Sequence, residues 1–65
     1  MNKTPQDLAK ETATDFVSSN ANNQPFVLKP LQASETELYK ADIMISGKRY
    51  ATVTVDKVGN AEVRH

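Results

Sequence analysis

The chain has 65 residues, and its eight basic and eight acidic side chains give no formal net charge. Neutrality argues against a nucleic-acid binder, which normally carries a clear cationic excess. The chain has no cysteine and a single histidine, so it offers no disulfide and too few ligands for a zinc site. Because no apolar run is long enough for a membrane span and the start lacks a signal-peptide core, we expect a cytoplasmic protein.

The first predicted element is a helix over residues 5–20. Thr4 can cap it with its hydroxyl, Pro5 suits the first helical position, and Asp7 places negative charge in the first turn. The Asn-rich segment before Pro25 ends the helix, because asparagine tolerates the left-handed conformation and proline cannot continue a helix. One stripe of the helix is mostly apolar and predicts a surface helix. It comprises Leu8, Ala9, Thr12, Ala13, Phe16 and Val17.

Strand composition follows in four segments, at residues 26–32, 38–46, 49–56 and 60–64. Pro30 has no amide donor, which places the first strand at a sheet edge or at a bulge. The second and third strands alternate apolar and polar residues, the period of half-buried strands. The sequence therefore predicts an α+β fold in one domain, residues 1–65, with one N-terminal helix packed on a three- to four-stranded antiparallel β-meander.

The turn between the last two strands predicts their register. The segment 56–59, Asp-Lys-Val-Gly, suits a type I turn with Asp first and Gly at positive φ. This turn would put Val55 opposite Ala61 and Val53 opposite Val63. All four side chains then lie on one face, so the turn and the apolar pattern agree.

The preceding hairpin has two possible loops. A two-residue loop at 47–48 would turn the apolar faces of the two strands in opposite directions. A three-residue loop at 46–48, with or without a bulge near Gly47, would unite them. We favour the three-residue loop, which pairs Ile43 with Ala51 and Ala41 with Val53.

A domain of this size has one thin core, which rarely supplies more than ~3–5 kcal/mol. Because disulfides are absent, we favour a homodimer over a monomer as a further source of stability. The predicted core comprises Leu8, Ala13, Phe16, Val17, Phe26, Leu28, Leu31, Ala41, Ile43, Ile45, Val53, Val55 and Val63.

The C-terminal part contains, in order, a Tyr-led strand, a Gly-Lys turn, a second alternating strand, and a Val-Asp turn closed by Gly. The residues that form this pattern are Tyr39–Ile43, Gly47–Tyr50, Val53–Asp56 and Gly59. This pattern resembles that of PepSY-type domains, whose members have a helix followed by antiparallel strands. The resemblance implies a module that binds and restrains peptidases, or an accessory module outside the cytoplasm.

No catalytic arrangement is predicted. The only histidine, His65, is the last residue, and chain ends tend to fray. Carboxylates at Asp7, Glu11 and Asp15 share one helix face, which is more typical of a solvated face than of acid–base catalysis. Glu35 and Glu37, in or beside a polar turn, are interpreted in the same way. We therefore expect a protein that is not an enzyme and holds no cofactor and no metal.

The surface pattern leaves two binding modes open. Basic side chains at Lys40, Lys48, Arg49, Lys57 and Arg64, with Tyr50 for stacking, would suit nucleic acid. The acidic residues that alternate with them favour ordinary charge mixing instead. For the nucleic-acid mode, the hairpin tip Lys48-Arg49-Tyr50 is the predicted contact, and the same tip is the predicted site for any other partner.

Protein binding is the preferred mode, because small sheets expose edge strands to which a partner can add a strand. The predicted edges are residues 26–31 and 61–64, with proline and charged residues as protection against promiscuous pairing. The uncovered sheet face is predicted to carry Met44, Tyr50, Thr52 and Thr54. The sequence thus predicts a small non-catalytic protein-binding or regulatory module that self-associates through a sheet edge or face.

Overall fold

The computed structural model describes residues 3–65, so Met1 and Asn2 of the predicted domain lie outside the described residues. The elements in chain order are α1 (Pro5–Asn20), β1 (Val27–Leu31), β2 (Glu37–Ile45), β3 (Lys48–Asp56) and β4 (Ala61–Arg64). The strands form one antiparallel sheet in the order β1-β2-β3-β4, and α1 packs against β2, β3 and β4. The predicted α+β fold and the helix bounds are confirmed, while the strands begin or end one residue away from the predicted positions.

The helix begins at a capping box. The Asp7 N–H donates to the Thr4 hydroxyl at 3.1 Å, and the Thr4 N–H donates to the Asp7 carboxylate at 3.4 Å. These two hydrogen bonds satisfy the backbone N–H groups of Thr4 and Asp7 at the start of the helix. The helix ends where Asn22 and Asn23 adopt φ of 53° and 59°, a conformation that asparagine tolerates better than most residues.

The core lies between α1 and the sheet and is built largely from small side chains. Alanine supplies half of the buried residues, so α1 can lie close to the strands. The larger side chains surround this centre and are only partly buried, because so small a domain cannot cover them completely. The fully buried residues are Ala9, Ala13, Val17, Ala41, Ile43, Ala51, Val53 and Val55.

The predicted core requires three corrections. It omits Ala9 and Ala51, which are both fully buried beneath larger neighbours. It includes Leu31, which pairs with Lys40 on the face away from α1. Leu28 lies on the helix side, because it pairs with the buried Ile43. Leu31 is three positions further along the strand, and residues an odd number of positions apart point to opposite faces.

The β3–β4 hairpin has the predicted register. Val55 pairs with Ala61 and Val53 pairs with Val63. The Gly59 N–H donates to the Asp56 carbonyl at 3.1 Å, and Gly59 has a φ of 89°. This geometry is a type I turn followed by a left-handed residue, a common three-residue hairpin loop.

The β2–β3 hairpin has the predicted pairs but not the predicted loop. Ile43 pairs with Ala51 and Ala41 pairs with Val53. The loop is Ser46-Gly47, with φ of 54° and 78°, and the prediction of a three-residue loop is wrong. Two residues at positive φ form a type I′ turn, whose twist matches that of the flanking strands.

A bulge at Tyr50 reconciles this short turn with the apolar pairing. Met44 pairs with Arg49 while Ile43 pairs with Ala51, so Tyr50 is an extra residue on β3. A bulge of this kind shifts the alternation of side chains along its strand. The apolar faces of β2 and β3 therefore meet although the loop has only two residues.

Candidate functional site

The backbone of β4 alternates between bonding to β3 and facing the free edge of the sheet. The Asp56 N–H donates to the Asn60 carbonyl at 2.9 Å, which marks these two residues as a hydrogen-bonded pair at the end of the hairpin. Hydrogen-bonded and non-hydrogen-bonded pairs alternate along an antiparallel ladder. From that pair onward, Glu62 and Arg64 bond to β3.

Ala61 and Val63 consequently direct their N–H and C=O groups away from β3, along what we call the β4 edge (Ala61–Arg64). Among residues 3–65, no strand lies beside β4 on this side. The side chains of Glu62 and Arg64 are exposed, while those of Ala61 and Val63 are half-buried against the core. The β4 edge thus offers two outward donors and two outward acceptors.

The opposite edge of the sheet, along β1, has fewer outward-facing hydrogen-bond donors. The same alternation, carried across β3 and β2, turns the backbone groups of Leu28 and Pro30 outward. Pro30 has no N–H, and in this position it removes a donor from the edge without weakening the pairing with β2. The predicted protection of the first strand is therefore present, and β1 offers one outward donor where β4 offers two.

The sheet face away from α1 is an open face of mainly polar side chains. Arg49 donates to the Thr52 hydroxyl at 3.2 Å, and Thr52 donates to the Asp42 carboxylate at 2.8 Å. Cations and carboxylates alternate over this face, as the sequence predicts. The register assigns to it Val27, Lys29, Leu31, Lys40, Asp42, Met44, Arg49, Thr52, Thr54, Glu62 and Arg64.

The predicted contact residues Lys48, Arg49 and Tyr50 do not share one surface. Lys48 and Arg49 are exposed, and Arg49 lies on the open face. Tyr50 packs on the helix side, with its ring centroid 5.8 Å from that of Phe16. The prediction that Tyr50 lies on the uncovered face is wrong, because the bulge turns it toward α1.

An aromatic cluster joins the helix to the end of β4. It consists of Phe16, Tyr50 and His65, and the His65 ring meets the Tyr50 ring edge-on at a centroid distance of 5.0 Å. Aromatic pairs in this geometry contribute about 0.5–1.5 kcal/mol beyond the area they bury. The sequence suggests a fraying histidine, whereas the structure places the ring of this exposed residue against two others.

The carboxylates of the helix lie on its solvent side. Asp7, Glu11 and Asp15 are exposed, as predicted, and Lys3 forms an ion pair with Glu11. Together with Lys10 and Thr14 they line a shallow depression. Because α1 and Lys3 alone form its walls, this depression is an open groove on one helix and does not enclose a substrate.

Glu37 has an altered acidity. The Ser34 N–H donates to its carboxylate at 3.0 Å, and this hydrogen bond is the main reason that the pKa of Glu37 lies below its usual value. The Ser34 side chain and the cations Lys40 and Arg64 lower the pKa further. The contact of Glu37 in this region is therefore with the turn before β2, through the Ser34 N–H.

Comparison with models of protein families, with curated proteins and with solved structures finds no match for this chain. The resemblance to PepSY-type domains therefore stays a prediction. Within residues 3–65, no helix is long and apolar enough to cross a membrane. The same part of the chain contains no group of three or more side chains placed to hold a metal ion.

Proposed function

We propose that this protein is a small non-catalytic protein-binding module that accepts an extended segment of a partner at the β4 edge. The outward N–H and C=O groups of Ala61 and Val63 carry the proposal. Main-chain hydrogen bonds of this kind supply the affinity when a strand is added to a sheet. Natural sheets usually protect their edges, and here the protection is stronger along β1, where Pro30 removes a donor.

The side chains of β4 define what such a segment would resemble. Ala61 and Val63 lie on the helix side, next to buried residues of β3. Glu62 and Arg64 lie on the open face and carry opposite charges. A matching strand would therefore alternate apolar residues with charged ones, because successive side chains point to opposite faces.

The position of Tyr50 supports protein binding over nucleic-acid binding. Tyr50 packs against Phe16 and His65, so its ring does not stand free as a stacking platform beside Arg49. A peptidase-restraining role of the PepSY type is one form of the proposal, in which the added segment belongs to a peptidase. The proposal retains the cytoplasmic location expected from the sequence.

A displayed library of short peptides, selected against the immobilised protein, tests the proposal. We expect selected peptides to slow hydrogen exchange at the Ala61 and Val63 amides. Binding should weaken at least tenfold in Ala61→Pro, which removes one outward donor. Lys57→Pro is the matched control, because proline suits the second position of a type I turn. The proposal fails if the selection yields no binder although the immobilised protein is monomeric, or if binders keep their affinity for Ala61→Pro or protect residues elsewhere.

A further inference from the structure

We infer that the β4 edge takes the β4 edge of a second copy of this chain, paired antiparallel about a two-fold axis at Val63. The inference rests on the proposed binding mode and names its partner. The axis places Val63 opposite the second copy's Val63. It also places Glu62 opposite the second copy's Arg64, and Ala61 opposite the second copy's His65.

The outward-facing backbone groups of β4 can form the hydrogen bonds that this arrangement requires. Val63 and Ala61 direct their N–H and C=O groups outward, and the same alternation turns those of His65 outward. Pairs of outward-facing residues exchange two hydrogen bonds each in an antiparallel ladder. An axis at Glu62 or at Arg64 would instead bring together residues whose backbone groups already bond to β3.

The charges select the same axis. Glu62 and Arg64 are exposed on the open face, and each would meet its opposite in the second copy. These two pairs are of the non-hydrogen-bonded type, in which the Cα atoms lie only about 4.5 Å apart. Moving the axis by two residues, to Ala61, keeps the backbone pairing but places Glu62 opposite Asn60 and Arg64 opposite Val58. Only the axis at Val63 satisfies both the backbone and the charges.

The helices leave room for this pairing. Since α1 packs against β2, β3 and β4, its axis lies over the middle strand, β3. Strands spaced about 4.8 Å apart put the two helix axes roughly 14 Å from each other, beyond the 8–10 Å of packed helices. The two copies would then share one continuous sheet with both helices on the same side. A second copy also extends a core that is thin in the single chain.

The charge pairs make the inference testable by sedimentation equilibrium of four proteins. The wild type should approach twice the 7.2 kDa chain mass. E62R and R64E each place two like-charge pairs across the axis, so each should raise the dimer Kd roughly tenfold or more. Mixing these two variants makes both pairs opposite in charge again and should restore the dimer. K57E changes net charge as much as R64E does and should leave the wild-type Kd unchanged.

A second measurement covers the case in which a variant fails to fold, since the charge of Arg64 also lowers the pKa of Glu37. Hydrogen exchange on the wild type should show amides of Ala61 and Val63 whose protection increases with protein concentration. A wild type that stays at 7.2 kDa up to millimolar concentration overturns the inference, as do variants that dimerise normally or do not recover on mixing. Selected peptides that bind β4 of a monomeric protein would preserve the proposed function while refuting this partner.

Discussion

Ile43 is the buried side chain at which we expect a small truncation to lower the stability of this domain measurably. It is fully buried on the helix face of β2, with Leu28 paired on one side and Ala51 on the other. It is also the largest of the completely covered side chains, in a core that otherwise consists of valines and alanines. Ile43→Val removes one methyl group from this position without changing the strand.

The expected cost follows from the burial. One buried methylene contributes about 0.8 kcal/mol, and with the cavity term Ile→Val changes cost about 0.5–1.5 kcal/mol. A core in a chain of this length rarely supplies more than about 3–5 kcal/mol of stability. We therefore expect Ile43→Val to lose about 1 kcal/mol and to melt about 4–8 °C lower. Ile43→Ala, at about 2–5 kcal/mol, should leave much of the protein unfolded at room temperature.

Urea unfolding followed by far-UV circular dichroism measures this difference. All proteins should be compared at one concentration, because the proposed self-association would make the midpoint depend on it. Val58→Ala is the matched control: it also shortens an aliphatic side chain, but Val58 is 82% exposed in the β3–β4 turn. The control should stay within about 0.5 kcal/mol of the wild type. If Ile43→Val and Val58→Ala unfold at the same urea concentration, the core does not lie between α1 and the sheet as described.

Three further outcomes are expected. Ser46→Asn should raise the free energy of unfolding by a few tenths of a kcal/mol or more, because Ser46 has positive φ and Asn-Gly is the preferred type I′ pair with Gly47; a lower free energy of unfolding would contradict the turn. Thr4→Ala removes the helix cap and should cost about 0.5–2 kcal/mol by urea unfolding, with no effect expected only if the cap is absent in solution. The side-chain carboxyl of Glu37 should titrate by NMR below its usual pKa and return toward it when Ser34 is replaced by Pro, which removes the N–H donor. Since its pKa is lowered in the folded protein, Glu37 stabilises the fold above its unfolded pKa, and this contribution should be lost as the pH falls through the folded value.

Features that depend on residues adjacent in the chain could be predicted from the amino-acid sequence. The helix bounds follow from the Thr4 cap and from the asparagines after Asn20, and the β3–β4 register follows from the Asp56–Gly59 turn. In each case a few adjacent side chains and backbone groups decide the conformation. Short-range hydrogen bonds of this kind form in the same way wherever the segment lies in the fold.

The candidate binding surface could not be predicted without the tertiary structure. A two-residue turn alone would point the apolar side chains of β2 and β3 to opposite faces of the sheet. The bulge on β3 brings these side chains to one face, and it turns Tyr50 toward α1 instead of the predicted open face. The outward direction of Pro30 on one edge and of Val63 on the other follows from hydrogen-bond alternation carried across all four strands. Bulges and free edges arise from how strands pair, and the pairing depends on contacts between residues that are far apart in the chain. Local composition identified strands that could be edges, but the outward N–H groups that each edge retains follow from the assembled sheet.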